Sequence, residues 1–274
     1  MRVEQPKIIF IPETKSWTAV DSCDWVLPYL NATRYDGSQN LNDYQVLVYI
    51  KTKDVEQIRY HTHKVQFYLT QDPIWQFMDE KLGEIGYLVD GFIVHTPGMW
   101  RGMRLRYPQT DCHIVPDGIN LNFPRVYKRH VDKSVTFGWF GTSVKFAAPE
   151  VQNLISEMLG QLGDFDLRVI ADKTVPLKCI KNFTHVPWTP EFYNDLLDCD
   201  IVLNPLDSGG LRSRNKHFIA WNMGLPVIET IDDIPKFLKY EDRVKEAVQR
   251  KEYVKRHDIY YSAQRWLEII QCHM

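Results

Sequence analysis

Residues 199–230 read CDIVLNPLDSGGLRSRNKHFIAWNMGLPVIET. DIVLNPL (200–206) is a short apolar run with the length of a strand, and it gives way to a loop carrying Ser208, Gly209 and Gly210. NKHFIAWNMG (215–224) then has the extent of a helix opened by Asn215 and ended by Gly224, and LPVIET (225–230) returns to a β-branched run. Strand, loop, helix, strand is the repeating unit of a parallel sheet, because parallel neighbours need a crossover of about a dozen residues or more. The start of the helix is unusual. Arg212, Arg214 and Lys216 cluster where the helix dipole is already positive. Cations cost stability there unless an anion sits among them. A diphosphate held by backbone N–H groups, Arg forks and the Lys ammonium would meet that requirement; a solvated basic corner is the plain alternative.

The same alternation extends in both directions. Upstream of 199, VTFGWFG (135–141) predicts a strand ending in Gly, EVQNLISEMLGQL (150–162) a helix, DLRVIAD (166–172) a strand and TPEFYNDLLDC (189–199) a helix. An earlier series precedes it: KIIFIP (7–12), YQVLVYI (44–50), KVQFYLT (64–70), GFIVHT (91–96) and CHIVPDGI (112–119) as strands, with DPIWQFMDEKLGEIGYLV (72–89) as a helix among them. Between the two series, Asn120, Asn122, Pro124 and a charge run replace the apolar pattern. The expected class is therefore α/β with two Rossmann-like lobes: residues 1–122, residues 123–256, and a terminal helix 257–274 that returns toward the first lobe with Tyr260, Ala263, Leu267 and Ile270 on its apolar face. Ligands of open parallel sheets gather at the carboxyl ends of strands, so the cleft between the lobes is the expected site.

Composition limits the rest. The 274 residues carry 33 Lys and Arg against 35 Asp and Glu, a net charge of −2, so no global field recruits nucleic acid. The charge is locally basic between Arg101 and Lys133, where Arg101, Arg104, Arg106, Arg125, Lys128, Arg129 and Lys133 outnumber Asp111, Asp117 and Asp132. That stretch suits an anionic acceptor or a lipid headgroup, or is an ordinary solvated surface. Cys23, Cys112, Cys179, Cys199 and Cys272 are odd in number and never spaced C-x-x-C, which predicts reduced thiols and a cytoplasmic protein. Ile8 to Ile11 is too short for a signal peptide, and no run approaches the length of a membrane span, so membrane contact would be peripheral.

G-x-x-x-x-G-K, G-x-G-x-x-G, G-x-S-x-G and H-E-x-x-H are all missing, which disfavours P-loop, dinucleotide, α/β-hydrolase and zincin chemistry. HTH (61–63) could place two imidazoles on one strand face, and DCD (198–200) matches an Asp-x-Asp metal signature, but a helix-to-strand turn accounts for the latter better. Gly141, followed by Thr142, Ser143 and Lys145, offers free amides, two hydroxyls and an ammonium to a phosphate.

Taken in order, these segments resemble the two-lobed glycosyltransferases of the GT-B fold, including retaining members of the glycogen synthase, mannosyltransferase and rhamnosyltransferase groups. The stretch 199–230 resembles their donor half, HIVPDGIN (113–120) the I-P-N-G-V-D segment that ends the first lobe, FGWFGTS the opening strand of the second, and YLTQDP (68–73) a strand end that faces the acceptor. The resemblance implies transfer of a sugar from a nucleoside diphosphate-sugar, UDP-sugars among the candidates, to an acceptor hydroxyl. It implies no cofactor or metal, and retention of configuration. The acceptor would be a glycan, a lipid-linked glycan or modified DNA. Asp72, Arg212 and Lys216 take the catalytic roles in this reading, and Gly141, Thr142, Ser143, Lys145, Ile170, Trp188, Ser208, Gly209, Gly210, Arg214, Asn215 and Glu229 bind the donor, the base lying near Ile170 and Trp188. Three positions depart from the family: Ile219 replaces the ribose-binding Glu, for which Glu229 or Asp207 would substitute; Thr142 replaces an Arg; and Gln71-Asp72 replaces a His. A non-enzymatic two-lobed binding protein is the reading from another class.

Overall fold

The computed structural model describes residues 5–12, 17–52, 54–70, 75–175, 180–205, 211 and 213–274, with backbone alone for 17–23 and 77. The chain divides into two compact units. The first comprises residues 1–120 with 257–274, and the second runs from Leu121 to Arg256, apart from a short stretch before Arg214.

The first unit alternates β1 (Ile8–Pro12), α1 (Trp17–Leu30), β2 (Ala32–Arg34), β3 (Val46–Ile50), α2 (Val55–Tyr60), β4 (Val65–Leu69), α3 (Trp75–Gly86), β5 (Gly91–Val94), α4 (Pro97–Arg106) and β6 (Cys112–Ile114). Its sheet runs β2-β1-β3-β4-β5-β6, and each neighbouring pair is parallel. Strands such as VLVYI are buried along their whole length, as a parallel sheet covered on both faces requires. Thr96 caps α4 by accepting from the Met99 amide, and Pro97 sits at the first helical position, where its missing N–H costs nothing.

The second unit contains β7 (Thr136–Gly141), α5 (Ser143–Phe146), α6 (Pro149–Leu162), β8 (Asp166–Ala171), β9 (Phe183–Pro187), α7 (Phe192–Leu196), β10 (Ile201–Leu203), α8 (Asn215–Asn222), β11 (Val227–Ile228), α9 (Ile234–Phe237) and α10 (Tyr240–Val254). Its parallel sheet runs β11-β10-β7-β8-β9. The strand order thus reverses beside β7. The chain first adds β8 and β9 on one side, then crosses back to lay β10 and β11 on the other.

The segment before β7 is fastened to this second sheet. Asp200 accepts from the Thr136 amide at 3.1 Å and pairs with Lys128 Nζ at 2.9 Å, both side chains buried. The same ammonium donates to the Leu197 carbonyl at 2.8 Å. The Lys128 amide and the His130 ring bond the Met223 and Gly224 carbonyls at the end of α8. Gly224 has φ +78°, and a Cβ there would meet the Tyr127 ring at 2.5 Å, so this helix end requires glycine on both counts. DCD (198–200) is accordingly a structural turn, with Asp198 reaching Arg168 at 3.2 Å.

The last helix, α11 (Ile259–His273), joins the first unit: Ile259, Ala263, Trp266, Ile269 and Ile270 share a core with β1, β3 and β4. The expected apolar face needs correction. Ala263 and Ile270 are buried and Leu267 packs against the same core, as expected, but Tyr260 is 48% exposed and Ile259 and Trp266 are buried in its stead. His61 is likewise not on a strand: it caps α2, its Nδ1 bonded to the Gln57 carbonyl.

Candidate donor site in the second unit

The strand order reverses beside β7, and the carboxyl ends of strands at such a reversal are where open parallel sheets hold ligands. Gly141 ends β7 with φ +145°, a conformation that favours glycine. Lys216, in the first turn of α8, reaches back to this point. A Cβ on Gly141 would lie 2.5 Å from Lys216 Nζ and 3.0 Å from the Trp139 ring. The ammonium rests 4.4 Å from the centroid of the buried Trp139 and 5.4 Å from that of Phe140. The faces of these two rings hold the ammonium at the end of the central strand.

The rest of the α8 start differs from the expected knot of three cations. Arg214 occupies the N-cap position, and its Nη1 lies 4.0 Å from Glu229 Oε1. His217 is 1% exposed; its Nδ1 meets Asn204 Nδ2 at 2.8 Å, and its Nε2 lies 2.9 Å from Glu229 Oε1. His217 holds the Glu229 carboxyl below its ordinary range, with Arg214 adding to the effect and burial opposing it. A carboxylate of the protein therefore offsets part of the cationic charge at this helix start. The conflict with the helix dipole is smaller than the sequence suggests. Asn204, His217 and Glu229 tie together the ends of β10, α8 and β11. Sequence reasoning passed over His217, because a histidine inside a helix is common and its partners Asn204 and Glu229 are brought to it only by the fold.

The turn after Gly141 also departs from expectation. Thr142 occupies the N-cap of α5 without a side-chain capping bond, and the Ser143 amide donates to Asp172 Oδ1 at 2.6 Å. That bond is the main cause holding the Asp172 carboxyl below its usual value. One of the amides expected to face a phosphate is thus occupied by an acid at the end of β8. Lys145 is exposed on α5. Ile170 is fully buried, so it is core and offers no surface to a base. Trp188 is half-buried; its amide donates to the Ala171 carbonyl, and its ring stacks at 6.4 Å on Phe192, which stacks in turn on Phe140 at 5.2 Å. Asp72, Arg212, Ser208, Gly209 and Gly210, with Gln71 and Asp207, lie outside the described residues.

No protein-family model matches the chain, and no curated protein matches it in sequence. Solved structures do. An alpha-glucosyltransferase in complex with UDP aligns with TM-score 0.68 at 9% identity over 97% of this chain and 99% of that one. The lipopolysaccharide outer core galactosyltransferase WaaB aligns with TM-score 0.59 at 14% identity over 97% and 99%. TarM aligns with TM-score 0.65 at 10% identity, covering 81% of this chain; the alignment spans only 54% of TarM. An alpha-glucosyltransferase has also been solved with UDP-glucose and DNA containing an abasic site, and it aligns with TM-score 0.66 at 9% identity over 97% and 99%. At these identities the likeness is one of fold: the two parallel sheets are the Rossmann-like lobes of the GT-B architecture.

Proposed function

We propose that this protein is a glycosyltransferase that moves a sugar from a nucleoside diphosphate-sugar, a UDP-sugar in the first instance, to an acceptor hydroxyl. The observation that carries the reading is the Lys216 ammonium seated against Gly141 over Trp139, at the strand end beside the topological reversal. In the reaction, the bond from the anomeric carbon to the diphosphate breaks and the diphosphate oxygen keeps the electron pair. The acceptor oxygen forms the new bond and gives up its proton. Lys216, with Arg214 nearby and Arg212 as the further proposed cation, would stabilise the charge growing on the departing diphosphate, a task for which preorganised cations suffice without a metal. Asp72 is the proposed acceptor-side residue, and retention of configuration is the proposed outcome. Glu229, held ionised by His217, fits a hydroxyl-accepting role toward the ribose. The buried thiols of Cys112 and Cys199 suit a reducing, cytoplasmic setting.

A polyanionic acceptor such as modified DNA is the variant of this reading favoured by α4, where Arg101, Arg104 and Arg106 are all exposed. Glycans and lipid-linked glycans are the other acceptors to test. Among the described residues no helix is long and apolar enough to cross a membrane. The test is a screen of nucleotide sugars for donor hydrolysis, followed by acceptor panels with the active donor. Turnover of one donor, lost in Lys216→Met, is the expected result; binding of a nucleotide sugar without any turnover would favour a non-enzymatic binding protein.

A further inference from the structure

A second cluster of chemistry-bearing side chains lies in the first unit, on an edge strand of its sheet. Asp111 immediately precedes β6, His113 is its middle residue, and His273 closes α11. Each offers one ligand atom, and these three atoms lie within 4.8 Å of one another. The two imidazoles stand nearly perpendicular, at 86°, with their Nε2 atoms 3.3 Å apart. For nitrogens bound to one tetrahedral zinc at about 2.0–2.1 Å, the edge of the tetrahedron is about 3.3–3.4 Å. Without an ion the two rings meet as a hydrogen-bonded pair.

All three carriers are fixed. His113 lies in register opposite Ile93 of β5, and the Asp111 carbonyl accepts from the Phe92 amide at 2.8 Å. A Cβ on Gly91 would lie 3.3 Å from His113 Nε2, so the imidazole packs against bare backbone. Phe67 meets the His273 ring edge-on at 5.2 Å and the His113 ring at 6.5 Å. The last turn of α11 is anchored by the buried Ile269 and Ile270. Arg265 is the nearby cation, and Glu268 pairs with it at 2.8 Å.

We propose that Asp111, His113 and His273 form a binding site for a divalent transition-metal ion, zinc by donor set and spacing, which clips the end of α11 to β6. Two imidazoles and one carboxylate leave a fourth position for water. The exposed Asp111 side chain closes onto the ion by rotating about its own bonds. The site belongs to the first unit and the candidate donor site to the second, and its role is structural, so the proposal does not rest on sugar transfer.

The test uses the full chain stripped with chelator and dialysed, with zinc alone as the probe. Competition against a chromophoric chelator should show one equivalent bound, and cobalt substitution should give the visible absorption of a tetrahedral site. His273→Ala and His113→Ala, each losing a direct ligand, should weaken zinc by more than the about 10-fold at which loss of an outer-shell partner begins to tell, whereas His63→Ala, on a separate turn, should bind as wild type does. Zinc should raise the Tm of wild type and leave that of His273→Ala unchanged. His273→Ala alters only the last turn of a helix, so it reports even if His113→Ala fails to fold. Absence of zinc binding, or binding equal to wild type in His273→Ala, overturns the proposal.

Discussion

Replacing Lys216 by Met separates charge from packing at the end of β7. The methionine keeps an unbranched stem over Trp139 and can make its own sulfur–aromatic contact, worth about 0.3–1.5 kcal/mol, in place of a cation–π contact of about 0.5–2 kcal/mol. The two nearly cancel, so Tm should fall by no more than about 4 °C. Binding is a different matter. A charge-assisted hydrogen bond to a diphosphate contributes roughly 1.5–3 kcal/mol, so losing it should raise the Kd for UDP by about 10- to 150-fold. Calorimetry with UDP on wild type and Lys216→Met, with a thermal melt of each, reads both quantities. The ammonium already has an aromatic seat and Glu229 lies at the same helix start, so relief from the dipole should not make the variant melt higher than wild type. A folded Lys216→Met that binds UDP within twofold of wild type would place the diphosphate elsewhere and refute the reasoning.

Three further outcomes are expected. Gly141→Ala puts a Cβ where Lys216 Nζ sits and imposes a disfavoured φ, so it should cost about 1–3 kcal/mol in urea denaturation; combined with Lys216→Met it should lose little further UDP affinity, because both changes remove one contact. Glu229 has its folded pKa below the ordinary value of 4.5, so it contributes stability that is present above that value and is lost as pH falls through the folded one; urea melts between about pH 6 and about pH 3 should show a shallower acid decline for Glu229→Gln than for wild type. Lys128→Met strands a buried carboxylate and should cost about 3–5 kcal/mol, most of it recovered when Asp200→Asn is added; equal stability of wild type and Lys128→Met would show that the pair carries nothing.

Much of the fold is legible in the sequence because parallel strands buried on both faces read as unbroken apolar runs, and IIFIP, VLVYI and TFGWFG all fall where those runs lie. The parts that were not legible are those whose signals are shared or diluted. β2 is only ATR and β9 is FTHVP with mixed burial, so neither has the composition of a core strand. Gly141 and Lys216 could be singled out by their place at a strand end and a helix start. Their mutual contact could not, since it depends on the tertiary approach of the Lys216 side chain to the end of β7. Asp172 and His217 were invisible for the same reason: an acid after a strand and a histidine in a helix are common, and only the tertiary approach of Ser143 and Glu229 gives them work. On α11 only Tyr260 was misplaced: Ala263 and Ile270 are buried, and the 3.6-residue period leaves open which of the adjacent Ile259 and Tyr260 turns inward.

The fastening of residues 127–130 to α8 and Asp200 also decides how this chain can be dissected. A fragment of the second unit begun at Val135, just ahead of its first strand, would drop Lys128 and leave Asp200 and the Gly224 carbonyl facing water or nothing. A stable fragment should begin near Leu121 and end near Arg256. The first unit cannot be obtained by simple truncation, because its core needs Trp266 and Ile270 from the far end of the chain. It would have to be made either with the 257–274 peptide supplied in trans or as a chain from which the second unit is excised, so that this helix is joined directly to the segment after β6.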